Sequence, residues 1–257
     1  MAKIIPVPAF RDNYIWLIIE NSNKKCIIVD PGDAAPVIAT LTNEGLTPVA
    51  IFVTHHHFDH CAGVAELLER YRVPVYGSSK ENSEAITNPV HGGENLKFPQ
   101  FDLIFEVIEI PGHTLDHLAF YAPGMLFCGD TLFTAGCGRI FEGTAEQLYD
   151  SLQIIAHLPD NTNIYCGHEY TLKNLLFAAI VDPHNPDIQS RLEETRLLVQ
   201  QGWPTVPATL AIEKATNPFL RIHEQAITNS LETKAGRRLD NPQERFALLR
   251  EWKNNFI

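Results

Sequence analysis

No stretch of this sequence is long and apolar enough to cross a membrane as a helix, and its opening segment lacks the basic stretch and apolar core of a secretory signal. A cytoplasmic location is the expectation. Cysteine is scarce. Cys26, Cys61, Cys128, Cys137 and Cys166 are odd in number, scattered and never in a C-x-x-C pair, which argues against a disulfide framework and a zinc finger. Positive charge is short as well: a formal net charge of -11 over 257 residues offers no broad basic face to nucleic acid, so an anionic ligand needs a local cationic cluster. Low-complexity tracts are missing, and 45% hydrophobic with 20% charged residues is the composition of a folded globular chain. A monomer is expected, with neither membrane nor nucleic acid among its partners.

The length suits one main domain with a smaller appendage. Up to about residue 170, short β-rich runs alternate with Gly, Pro, Asp and His punctuation: Tyr14 to Glu20, Cys26 to Val29, Ala50 to Thr54, Val73 to Tyr76, Leu103 to Ile110, Leu118 to Tyr121, Met125 to Cys128 and Asn163 to Cys166. Helical spacing of apolar residues predicts helices over Ala34 to Glu44, Gly63 to Tyr71 and Thr144 to His157, the last opened by a capping box of Thr144 and Gln147. Beyond Glu169 the period becomes helical, in Leu172 to Val181, Pro186 to Gln201, His223 to Thr233 and Pro242 to Lys253. The division expected is 1–170 and 171–257.

The densest chemistry lies in Thr54-His55-His56-His57-Phe58-Asp59-His60. A strand ending in His-x-His sends His55 and His57 to one side and His56 to the other, and Asp59 and His60 follow at once. Imidazole and carboxylate without thiolate suit Zn2+, Fe or Mn2+ in a site open to water. A His-rich stretch alone could be an exposed loop. Three more strand-like runs, however, end in a candidate donor placed directly after a glycine: Gly112-His113, Gly129-Asp130 and Gly167-His168. The other histidines, His56, His91, His117, His157, His184 and His223, read as hydrogen-bonded surface or supporting groups. Asp30, in Asp30-Pro31-Gly32, is either a turn former or a partner to a ligand imidazole.

The series His-x-His-x-Asp-His, His, Asp, His resembles the metallo-β-lactamase superfamily in full and in order. The resemblance implies a four-layer αββα sandwich of the α/β (α+β) class, with a C-terminal all-helical domain. It also implies two divalent metals, Zn2+ first with Fe or Mn2+ as alternatives: His55, His57 and His113 on one, Asp59, His60 and His168 on the second, Asp130 bridging. Asp59 and Asp130 would orient a metal-held hydroxide. Beyond the ligands, Asp12-Asn13-Tyr14, Gly129-Asp130-Thr131-Leu132-Phe133, Gly136-Cys137-Gly138-Arg139, Phe141-Glu142-Gly143-Thr144 and His168-Glu169-Tyr170-Thr171 are similar to the hydroxyacylglutathione hydrolases.

That resemblance implies hydrolysis of S-D-lactoylglutathione to glutathione and D-lactate, in methylglyoxal detoxification. Arg139, Phe141, Tyr170, Arg250 and Lys253 would contact glutathione; Phe141 stands where the family often has Tyr, and Arg139 where some members have Lys. A glutathione persulfide dioxygenase with one iron on the same scaffold is the rival reading. Cys61 and Cys137 are small buried or loop residues rather than nucleophiles.

Overall fold

The run Tyr14-Ile15-Trp16-Leu17-Ile18-Ile19 has no charged residue to turn toward water, and it forms a strand buried on both faces. The computed structural model that shows this describes residues 2–20, 22–80 and 85–256. Within these the chain divides into two compact units, residues up to 109 with 115–129, and 110–114 with 130 onward.

The first unit holds a six-stranded sheet of β1 (Lys3–Ala9), β2 (Asn13–Glu20), β3 (Lys25–Val29), β4 (Thr47–Phe52), β5 (Val75–Ser78) and β6 (Asn88–Val90), hydrogen-bonded in that order. β1, β2 and β3 pair antiparallel; β3 to β6 pair parallel. The β3–β4 crossover runs through α1 (Ala34–Glu44), and the β4–β5 crossover through α2 (Phe58–Cys61) with α3 (Val64–Arg70). Pro6 and Pro8 mask β1 in the sequence; as the sheet edge, it tolerates residues that cannot donate to the ladder. α1 starts where Asp33 accepts from the Ala35 N–H and stops at left-handed Gly45.

A second set of strands, β7 (Asn95–Lys97), β8 (Ile104–Glu109), β9 (Leu118–Ala122) and β10 (Met125–Gly129), forms an antiparallel meander. The alternation of β4 decides the layering. Ile51 and Val53 join Val37, Leu41 and Leu67 on the helix-covered face, while Phe52 packs against Phe120 and Phe105 of the meander at centroid distances of 4.3 and 5.3 Å. Truncating Phe52 in so dense a cluster would cost about 3–5 kcal/mol.

The second unit contains a short hairpin of β11 (Leu132–Phe133) and β12 (Gly136–Cys137), the pair β13 (Asn163–Cys166) and β14 (Ala208–Thr209), and six helices among the described residues. These are α4 (Ala145–Ala156), α5 (Thr171–Val181), α6 (Pro186–Gln200), α7 (Leu210–Thr216), α8 (Gln225–Ala235) and α9 (Pro242–Asn254). Thr144 and Gln147 form the capping box of α4, and Asn185 and Asn241 cap α6 and α9, each with proline at the first helical position. Fully buried Phe177, Phe219 and Phe246 centre this unit, with Tyr149 of α4 against Phe246 of α9. The two-residue β14 and the seven-residue α7 interrupt the run of long helices and escape a periodicity reading because each is shorter than two turns. Among the described residues, no helix is long and apolar enough to cross a membrane.

Candidate metal centre

In the first unit, β4 ends at Phe52, so the donors lie on the loop and short helix that follow it rather than on the strand itself. His55 and His57 still converge: His55 Nε2 lies 3.1 Å from His57 Nδ1. His56 turns aside to Asp116, 3.0 Å from its Nδ1. His60, on α2, directs Nε2 toward Asp59 Oδ2 at 3.6 Å, and Asn13 donates to that same oxygen at 2.8 Å.

Asp30 organises this half from beneath. It accepts from the Thr54 N–H and hydroxyl, both at 2.7 Å, and its Oδ2 lies 3.0 Å from His60 Nδ1. Thr54 Oγ1 in turn lies 3.0 Å from His55 Nδ1. One buried carboxylate therefore ties down the Nδ1 side of two imidazoles, directly for His60 and through Thr54 for His55, leaving Nε2 as the presented nitrogen. Asp30 is held at φ 53°, a turn conformation Asp tolerates, so it is both turn former and imidazole partner. His117 stacks on His55 at 4.5 Å. Gly129 is required here: at its φ of 47°, a Cβ would fall 2.3 Å from Thr54 Oγ1 and 2.9 Å from the His117 ring.

The second unit brings together the other three candidate donors. His113 Nε2 and His168 Nε2 lie 3.5 and 3.3 Å from one oxygen, Oδ2 of Asp130. His113 Nδ1 donates to the Arg139 carbonyl at 2.7 Å, which fixes the tautomer and leaves Nε2 basic. At φ 143°, Gly112 lets His113 turn in; a Cβ there would meet the Leu148 backbone at 2.5 Å. The His168 ring lies parallel to Tyr170 at 4.7 Å, with Phe133 edge-on to both.

The donor chemistry fits divalent metal in each unit: imidazoles with one nitrogen committed to a backbone carbonyl, hydroxyl or carboxylate, and carboxylates set among them, is the outfit of metal ligands. Among the described residues no cysteine belongs to a cluster of candidate donors, and burial pushes Cys166 up to about 12 and raises Cys137 as well.

Beside His113 and Asp130 opens a cavity of about 400 Å3, and all five residues read from the sequence as glutathione contacts line it: Arg139, Phe141, Tyr170, Arg250 and Lys253. Sequence reasoning missed five further walls, Phe133, Cys137, Lys173, Asn174 and Phe256. Lys173 lies in the first turn of α5, three positions after Tyr170 at its N-cap, a spacing that could have revealed it. Arg250 is less available than its type suggests: its NH1 donates to the Cys137 carbonyl at 2.7 Å and to the Gly138 carbonyl at 3.3 Å. Lys253 sits over the rings of Phe177 and Phe256, 5.0 Å from each, and donates to the Lys173 carbonyl. Burial, then the charges of Arg250 and Lys173, lowers its pKa to about 7.

Comparison with known proteins agrees with this geometry. The family model of the metallo-beta-lactamase superfamily matches residues 9–168, and that of the hydroxyacylglutathione hydrolase C-terminus matches 169–256. A relative named hydroxyacylglutathione hydrolase, from Nitrosomonas eutropha, is 49% identical over the full length of both chains. Among solved structures, ETHE1 from Myxococcus xanthus is 25% identical with a TM-score of 0.67, covering 98% of this chain and 90% of its own. TTHA1623, solved in a di-iron-bound form, is 26% identical with a TM-score of 0.59, covering 84% of this chain and 100% of its own. Since both halves of the sequence match and the likeness runs end to end, the chain belongs to the hydroxyacylglutathione hydrolase family of the metallo-β-lactamase superfamily.

Proposed function

We propose that this chain hydrolyses S-(2-hydroxyacyl)glutathione, S-D-lactoylglutathione above all, to glutathione and a 2-hydroxy acid. The observation that carries the reading is the cavity in which Arg139, Lys173, Arg250 and Lys253 surround the space next to His113 and Asp130. In a chain of net charge -11, four basic side chains around one cavity are the local cluster that a dicarboxylate peptide requires.

His55, His57 and His113 are assigned to one metal and Asp59, His60 and His168 to a second, with Asp130 shared, following the order of donors in the superfamily pattern. Zinc is our assignment, and iron or manganese suits the same donors. When bound, such metals polarise a carbonyl and lower the pKa of water to about 7, which supplies a nucleophile at neutral pH. The protein's own groups do the rest. Asp59, steadied by Asn13, and Asp130, set between two imidazoles, accept hydrogen bonds from the attacking water and orient it. Arg139 and Lys253 hold the glutathione carboxylates, Tyr170 offers a hydroxyl, and Phe141, 62% exposed, offers apolar and backbone contact. Residues 171–257 contribute the helices that carry Lys173, Arg250 and Lys253. A glutathione thiolate leaves readily, so no strong general acid is required.

The test is thiol release from S-D-lactoylglutathione by metal-loaded protein. Steady turnover that disappears on chelation supports the reading, and absence of hydrolysis of any glutathione thioester refutes it.

A further inference from the structure

Beneath the cavity, the β11–β12 hairpin turn is held almost entirely by side chains. The Ala135 N–H donates to Glu213 Oε2 at 2.7 Å. Asn217 Nδ2 donates to the carbonyls of Phe133 and Gly136, at 3.2 and 2.9 Å, and to that same Glu213 oxygen at 3.0 Å. Asn174 Nδ2 donates to the Thr134 carbonyl at 3.0 Å. Glu213 Oε1 is met by Arg191 NH2 at 2.6 Å, and Arg191 NH1 by the Thr216 hydroxyl. Glu213 and Asn217 are wholly buried, and Ala135 stands at φ 55°.

A buried carboxylate is costly unless paired, and a non-glycine residue in the left-handed region is costly unless its surroundings hold it there. Both costs are met at this turn. What the turn presents is the cavity: Phe133 leads in, and Cys137, Gly138 and Arg139 lead out.

We infer that Glu213 is a positioning residue for substrate binding: with Arg191 and Asn217 it fixes the turn that places Phe133 and Arg139 in the cavity wall. The inference rests on the glutathione-thioester reading above. It concerns binding first: Phe133 also lies edge-on to His168 and the Arg139 carbonyl accepts from His113 Nδ1, but that end of the segment has supports of its own. Gly138 N–H donates to the Thr131 carbonyl at 3.2 Å, and Phe141 N–H to the His113 carbonyl at 3.1 Å.

Glu213→Gln is the decisive change. Both carboxylate oxygens accept from donors, so the amide NH2 must oppose either the Ala135 N–H or the Arg191 guanidinium. KM for S-D-lactoylglutathione, and Kd for free glutathione by calorimetry, should each rise about tenfold with kcat within about threefold. In Glu213→Gln with Arg191→Met, the NH2 can face the methionine while the amide oxygen accepts from Ala135, so KM should return most of the way. A charge pair that contributed only stability would leave KM unmoved in the single variant, which overturns the inference; so does a KM that rises in the single variant and does not return in the double. If Glu213→Gln does not fold, Asn217→Ser removes the two carbonyl bonds while keeping the Glu213–Arg191 pair, and an unchanged Kd for glutathione there is equally fatal. Wild-type protein that hydrolyses no glutathione thioester would instead defeat the functional reading, a separate failure visible before any variant is made.

Discussion

Four of the proposed metal donors lie within six consecutive positions, 55 to 60, whereas the residues lining the cavity are drawn from 113 to 256. The two regions solve different problems. A metal needs several donors with little freedom, and a single turn after a strand delivers them, provided a buried group such as Asp30 sets their orientation. A flexible dicarboxylate needs cations several ångströms apart, and only separate elements can place them. Robustness differs accordingly: the compact half should fail abruptly when one donor or Asp30 is lost, and the dispersed half should weaken by degrees.

Asp130→Ala breaks the comparison most severely, because its Oδ2 is shared by His113 and His168. Bound metal and turnover should fall together, turnover by about a thousandfold or more; full metal content by elemental analysis would contradict the shared role. Asp30→Asn follows. Asn also tolerates positive φ, so the backbone turn is kept while His60 and Thr54 lose their carboxylate, and metal affinity measured by chelator competition should drop about 10- to 100-fold.

In the dispersed half, effects should be smaller and mixed. Arg250→Ala removes a guanidinium that is only 4% exposed and bonded to two backbone carbonyls, so it should cost about 2 kcal/mol in denaturant unfolding as well as raise KM. An unchanged KM would remove Arg250 from the binding site. Lys253 gives the mildest effect. With its pKa lowered to about 7, it is an ammonium below that pH and neutral above it, so KM should climb as pH rises through about 7, by up to about tenfold. Lys253→Met should flatten that limb in a KM–pH profile; an unaltered profile would assign the limb to another group.

How much could be read in advance follows the same division. The donors at 55 to 60, the glycine-led His113 and Asp130, and the α4 capping box are local patterns, and local patterns survive in a linear sequence. β1 was hidden by its prolines until its edge position was known. Asp30 announces itself only as a turn, because its bond to His60 spans thirty positions. Glu213, in Leu210-Ala211-Ile212-Glu213-Lys214, looks like a solvated helix charge, yet it is wholly buried and bonded to Ala135, seventy-eight positions away. Arg250 reads as a free basic group and is instead half spent on the backbone of Cys137 and Gly138. What escapes the sequence is long-range polar pairing, since no period marks it.

The most direct test of the account is elemental analysis and S-D-lactoylglutathione turnover on a single preparation of the wild-type chain. Two metal ions per chain with thioester hydrolysis that tracks metal content is the predicted result. One iron per chain, with oxygen uptake on glutathione persulfide and no thioester cleavage, would contradict it.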